Sequence, residues 1–369
     1  MMRTSPHFLS PKARHSGGAR GFSLVEIMVA LVIGMIGVLV IMQVARTGEA
    51  QKRVTTGSGE AQNNGALAIY SVERDVKQAG YGFSSPNAIG CKLVIPARDP
   101  VTAHTLDVLA PVIINGGVPA GDDNTDTLLI VYGNGAGSPE GDIIADAGVM
   151  SGNQRMGVVS VKNFRVGEWV FAAPPDLALV SACDLKMGRV TGLDPSPPAI
   201  PTTLKLDSNI GASDDWHLFD LGVAPRIVGY AVRGGNLTTC DYMLANCSDA
   251  DQWTIVANGI VSLRAQYGHD TAGGRAWNAT SPVLPSGDSG HEAFAKAWAA
   301  IPAVRFALVA RNGEPSRESV TASPPTWTNG AVWEDGTLPG NLDGDNWQRY
   351  RYQVYETVVP LRNIPWMGS

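Results

Sequence analysis

The sequence predicts an α+β chain in which a long N-terminal helix, hydrophobic and then amphipathic, packs on a β-rich, loop-rich C-terminal body. Three observations carry that expectation. From Ile27 to Ala45 no residue is charged, a run long enough for a helix to cross the apolar core of a bilayer. From about Glu49 to Ala79 the apolar positions Ala61, Ala68, Ile69, Val72, Val76 and Ala79 recur at spacings of three, four and seven, which marks one face of a helix. Beyond Gly82 the pattern changes to short strand-like runs between turn residues. With 42 glycines and 24 prolines in 369 residues, the body suits strands and loops better than a helical bundle.

The first element is the apolar segment with its flanks. Arg3, Lys12, Arg14 and Arg20 precede it, and residues 1–21 hold no acid. A cleavable secretory signal has a shorter apolar core followed closely by a small-x-small site. Here the nearest such site, Gly48-Glu49-Ala50, lies beyond the run. A plain signal anchor fits the length, but Arg46, Lys52 and Arg53 follow the segment closely and weaken the positive-inside bias. It also leaves Glu26 unexplained, since a carboxylate in the apolar region of a bilayer is costly.

Gly21-Phe22-Ser23-Leu24-Val25-Glu26 resembles the class III signal of type IV prepilins and type II secretion pseudopilins. That resemblance implies a membrane peptidase, also an N-methyltransferase, that cuts between Gly21 and Phe22 and methylates Phe22. It divides the chain into a leader at 1–21, a transmembrane and assembly helix at 22–45, an amphipathic continuation at 46–80 and a periplasmic body at 81–369. It also gives Glu26 a purpose. The new ammonium of one subunit and Glu26 of its neighbour neutralise each other in lipid, where a paired charge is tolerable and a lone one is not.

The helix continues with Gly57, Gly59 and Gly65, each costing about 1 kcal/mol relative to alanine, so bending is expected there. Gly34 and Gly37 permit close helix packing. Many pilins have a kinking proline where this chain has Gln43. The run Ser71-Val72-Glu73-Arg74-Asp75-Val76-Lys77-Gln78-Ala79-Gly80-Tyr81-Gly82 resembles the helix end of PilW-type minor pilins. Gly80 is a good helix stop and Lys77 suits the C-terminal dipole.

In the body, strands are expected at 127–132, 157–161, 169–172, 226–232, 253–257, 260–267, 303–310 and 348–359. Residues 140–250 and 270–300 otherwise read as irregular β and loop. Stretches at 126–133, 263–268, 304–311 and 350–363 are also similar to PilW-type chains. The four cysteines, Cys91, Cys183, Cys240 and Cys247, all follow the apolar segment and contain no CxxC pair. Such a set suggests disulfides in an oxidising compartment. Three connectivities are open, of which Cys240–Cys247 with Cys91–Cys183 is favoured.

Several chemical constellations fail on inspection. Gly287-Asp288-Ser289-Gly290 matches a serine-protease tetrapeptide without the surroundings that a catalytic serine needs. Gly133-Asn134-Gly135-Ala136-Gly137 follows a strand, but its glycines are misplaced for a dinucleotide loop. Asp343 and Asp345, or Asp122, Asp123, Asn124 and Asp126, offer weak calcium ligands without EF-hand spacing. Arg349 and Arg351 alternate with Tyr350 and Tyr352, which puts cations and rings on opposite faces of a strand rather than on one nucleic-acid platform. The net charge of −6 also disfavours a general polyanion-binding role.

No enzyme, cofactor or nucleic-acid partner is expected. The resemblance implies a minor pilin that helps initiate type IV pilus assembly, in a complex with other minor pilins and the major pilin. It implies an inner-membrane location before assembly and a pilus location after. The alternative from the same signal is a type II secretion minor pseudopilin of the tip complex; a membrane-anchored adhesin is a further one.

Overall fold

The computed structural model describes residues 21–99, 101–150, 153–159, 163–180, 182–194, 203–285, 290–333, 339, 342 and 346–364. The described residues group into two compact units that divide between Thr56 and Gly57. Helix α1 runs from Leu24 to Gln78 through the three glycines at which bending was expected.

In the first unit, Leu24–Arg46 is long and apolar enough to cross a membrane, with a mean hydropathy of 2.9 and none of it buried by the chain itself. Every large apolar side chain from Phe22 to Val44 is exposed. A soluble surface does not tolerate an apolar area of this size, so the helix belongs in lipid or against other helices.

In the second unit, α1 buries Ala61, Gly65, Ala68, Val72, Asp75 and Val76. The expected apolar stripe is therefore the packed one, with small residues that let strands approach closely. It joins a core shared with two antiparallel sheets. One orders Thr254–Asn258, Asn236–Asp241, Arg226–Arg233, Leu128–Tyr132 and Val112–Ile114; the other orders Gly274–Asn278, Ile260–Thr271, Ala303–Arg311 and Tyr352–Pro360. Leu128–Tyr132 and Ala303–Val309 are buried throughout, as expected of strands covered on both faces.

Between Leu128–Tyr132 and its partner Arg226–Arg233 the chain makes a closed six-stranded barrel from Asp142–Met150, Asn153–Val158, Trp169–Ala173, Gly188–Asp194, Thr203–Leu206 and His217–Gly222. Two of its strands serve two cores by alternation. Val170, Ala172 and Leu218 fill the barrel with Ile144, Met156 and Leu204, while Phe171, Ala173 and Phe219 face the main core. The rings of Phe171 and Phe219 stack there at 5.0 Å.

Disulfides join Cys91 to Cys183 and Cys240 to Cys247, the pairing that the sequence reading favours. The first ties the segment after α1 to the barrel region, beside the parallel pairing of Lys92–Val94 with Asp184–Lys186.

The regions read as irregular hold more order than expected. The barrel is one case: of its strands, only Trp169–Ala173 and the end of Asn153–Val158 were expected. Helix α2, Gly290–Ala299, is another: it buries Phe294 and Trp298, four residues apart, with Ala295 and Ala299 between and after them. The C-terminal strand starts later than expected, because Trp347–Arg349 forms a 3-10 turn and pairing begins at Tyr352.

Candidate functional site

The N-terminal end of α1 is simple and open. Gly21, Phe22 and Ser23 precede the helix and are exposed. The first helical bond runs from the Ile27 N–H to the Ser23 carbonyl at 3.1 Å. Ser23 therefore stands at the N-cap and Glu26 at the third helical position, the S-x-x-E arrangement that suits a helix start. The sequence reading singled out Glu26 but missed Ser23, whose signal was its spacing of three from the acid. A carboxylate in the first turn complements the positive end of the helix dipole. Among the described residues no cation pairs with Glu26.

The other end of α1 is tightly specified. Asp75, 1 % exposed, lies on the buried face of the helix. Its Oδ2 accepts a hydrogen bond from the Tyr230 hydroxyl at 2.7 Å, and its Oδ1 one from Tyr132 at 3.2 Å. Arg74 donates to Oδ1 from Nε and Nη2, each at 3.1 Å. The two tyrosines come from the adjacent strands that flank the barrel. Burial, reinforced by the Asp75 carboxylate, pushes the Tyr132 phenol up to about 12 and raises Tyr230 further.

Beyond Asp75 the chain reverses at Gly80 and Gly82, both at positive φ. A Cβ on Gly80 would lie 2.5 Å from the Asn363 carbonyl oxygen, so only glycine fits. The Asn363 side chain donates to the carbonyls of Gln78 and Ala79 at 3.2 Å, capping the last turn of α1 from near the end of the chain. The Tyr81 hydroxyl donates to the Gly135 carbonyl at 3.1 Å. On the helix flank, the Tyr355 hydroxyl donates to the Gln62 carbonyl at 3.0 Å, and its ring occupies the space a side chain at position 65 would need. The segments 71–82 and 350–363, far apart in sequence, thus meet.

The other candidates have structural duties. Asp220 accepts from the N–H groups of Ala136 and Gly137 at 3.1 and 3.2 Å, so the glycine-rich loop at 133–137 already holds an anion from its own chain. Burial raises the Asp220 carboxyl, against these bonds. Asp122 accepts from Gly234 and Gly235, and Asp126 from Asn115 and Ala265. Asp343 and Asp345 lie outside the described residues, as do Gly287, Asp288 and Ser289. Among the described residues no group of three His, Cys, Asp or Glu could hold a metal. Tyr350 lies under the Arg311 guanidinium at 4.4 Å, and the Tyr352 hydroxyl donates to the Trp347 carbonyl.

Residues 17–42 match the prokaryotic N-terminal methylation motif, and residues 235–363 match the family described as type IV pilus-assembly protein W. The second match ends at Asn363, the residue that caps α1, and the barrel lies outside both spans. No curated protein and no solved structure matches the chain.

Proposed function

We propose that this chain, a PilW-type protein with a class III N-terminal signal, is a non-catalytic minor pilin that helps start type IV pilus assembly within a minor-pilin complex at the pilus tip. The observation that carries the reading is the N-terminal end of α1: an exposed, non-helical Gly21–Phe22 bond, a carboxylate one turn into the helix, and an apolar surface its own chain leaves uncovered.

The chemistry runs in order. The leader keeps the precursor's basic residues on the cytoplasmic side while Leu24–Arg46 spans the inner membrane and the body stands in the periplasm. Cleavage after Gly21 removes residues 1–21 and leaves an ammonium at Phe22, which is then N-methylated. That cation sits at the positive end of a helix dipole, so it needs a nearby anion. Glu26 of an adjacent subunit supplies it, and because the alternative is two unpaired charges in lipid, the pair fixes axial register. Other minor pilins and the major pilin provide the neighbouring helices, and the prepilin peptidase does the processing. The class III signal alone fits a secretion pseudopilin equally well; the match over 235–363 favours the pilus.

Glu26→Ala should still lose residues 1–21 yet be absent from sheared pili. Immunoblots of membrane and pilus fractions test this, and normal incorporation of the variant would refute the pairing.

A further inference from the structure

The four-stranded sheet ends on Tyr352–Pro360, which pairs with Ala303–Arg311 over nine consecutive positions without a register shift. Among the described residues no strand pairs with its other side and no backbone group hydrogen-bonds there, although Thr326–Trp327 packs close to the strand. Such an edge is a row of N–H and C=O groups ready to pair with another chain, and proteins ordinarily blunt it with shortness, bulges, lysine or proline.

Among the described residues the other sheet edges are blunted. Val112–Ile114, His104–Leu106 and Asp184–Lys186 have three residues each. Thr254–Asn258 pairs across a register shift, and Gly274–Asn278 begins on a positive-φ glycine followed by Arg275. The barrel is closed, and the part of Asp142–Met150 that runs beyond its two pairs with His217–Gly222 follows a register shift. Tyr352–Pro360 has one charge, Glu356, and a proline only at its last position. Val358 is 50 % exposed beside this open side. The strand is also held in place by the Tyr355–Gln62 bond and, just beyond it, by Asn363 at the end of α1, so little ordering remains to oppose binding.

We infer that this edge accepts an extended strand of a different pilus subunit that carries a lysine or arginine opposite Glu356. Main-chain bonds provide the affinity and alternate side chains the selectivity. A second copy of this chain fits poorly: antiparallel pairing centred on the strand sets Glu356 against Glu356, and like charges directly opposite are destabilising. The bond from the Thr328 N–H to Glu356 at 3.0 Å keeps that carboxylate on the sheet surface. The identity of the partner rests on the pilus reading; the open edge does not.

The test uses the full-length chain in piliated cells with a benzophenone amino acid at Val358, and at the exposed Ile255 on the edge of the five-stranded sheet as a control. Irradiation should link position 358 to a strand segment of another subunit with an N-methylated terminus, mapped by peptide mass. Glu356→Lys should lower that product about fivefold, the change expected when one cross-strand charge pair turns repulsive. Absence of a product in chains recovered from pili, or a yield no greater than at Ile255, would overturn docking at this edge. A product only with a second copy would overturn the choice of partner. A mapped product with a protein lacking the N-methylated terminus would contradict the pilus reading and the partner drawn from it.

Discussion

Asp75 stands on a helix face that is otherwise alanine, valine and glycine, and its burial makes sense only through the groups that meet it. Two phenols and one guanidinium satisfy the carboxylate, and each phenol belongs to a different central strand. Asp75→Ala leaves two buried hydroxyls without their acceptor, so it should destabilise the body by about 2–4 kcal/mol, against about 1 kcal/mol for Tyr230→Phe. Urea unfolding of the variants measures both, and equal effects would count against the arrangement. Gly65→Val should also destabilise, by about 1–3 kcal/mol, because its Cβ would fall 2.0 Å from the Tyr355 ring. The ER-D run was visible in the sequence as a family likeness. That Asp75 points inward was not, because a charged residue at a helix end is usually solvated.

The buried phenols make a second prediction with a definite sign. Burial pushes Tyr132, Tyr242 and Tyr267 up to about 12, above the value of about 10 of an unfolded tyrosine. The folded state therefore holds protons that the unfolded state has released, and the stability they protect is complete below about pH 10 and lost as pH rises toward about 12. Unfolding followed against pH, together with tyrosinate absorbance, should show these phenols ionising only as the body unfolds. Free titration near pH 10 in the folded state would contradict their burial.

At the scale of elements, the two disulfides differ in what they restrain. Cys91–Cys183 spans 92 residues of sequence and Cys240–Cys247 spans 7. On the chain-entropy account the first contributes about 4–5 kcal/mol and the second about 2–2.5 kcal/mol. Replacing each pair with serine should lower the urea midpoint in that order; the reverse order would mean that native geometry, not loop length, decides. Legibility also varied by element. The strands at 128–132, 226–233 and 303–311 were plain because buried strands read as apolar runs with few interruptions. Helix α2 was missed beside a proline- and glycine-rich loop, although Phe294 and Trp298 sit four apart among alanines. The barrel was legible only in part: 169–172 and the start of 157–161 fall on its strands, whereas His217–Gly222, which divides its side chains between two cores, lacks the polar alternation used to recognise a half-buried strand.

For the whole molecule, the N-terminal signal and apolar span are more openly legible in the sequence than the body. The signal, Glu26 and the apolar span are contiguous, and contiguous patterns can be read without a fold. The junction that fixes the end of α1 joins Asp75 and Gly80 to Tyr132, Tyr230 and Asn363, and such contacts between distant segments leave no local spacing to find. The same division separates the body, which has its own core and disulfides, from the span from Leu24 to Arg46, which has no cover from its own chain. The account stands on the claim that this uncovered helix is delivered to a pilus by cleavage at its cytoplasmic edge. The most direct test is the intact mass and N-terminal sequence of the membrane-extracted protein, with and without the prepilin peptidase. The account predicts a chain that starts at N-methylated Phe22 only when the peptidase is present. A chain that keeps Arg20-Gly21 in both strains would contradict it and make the segment a plain anchor.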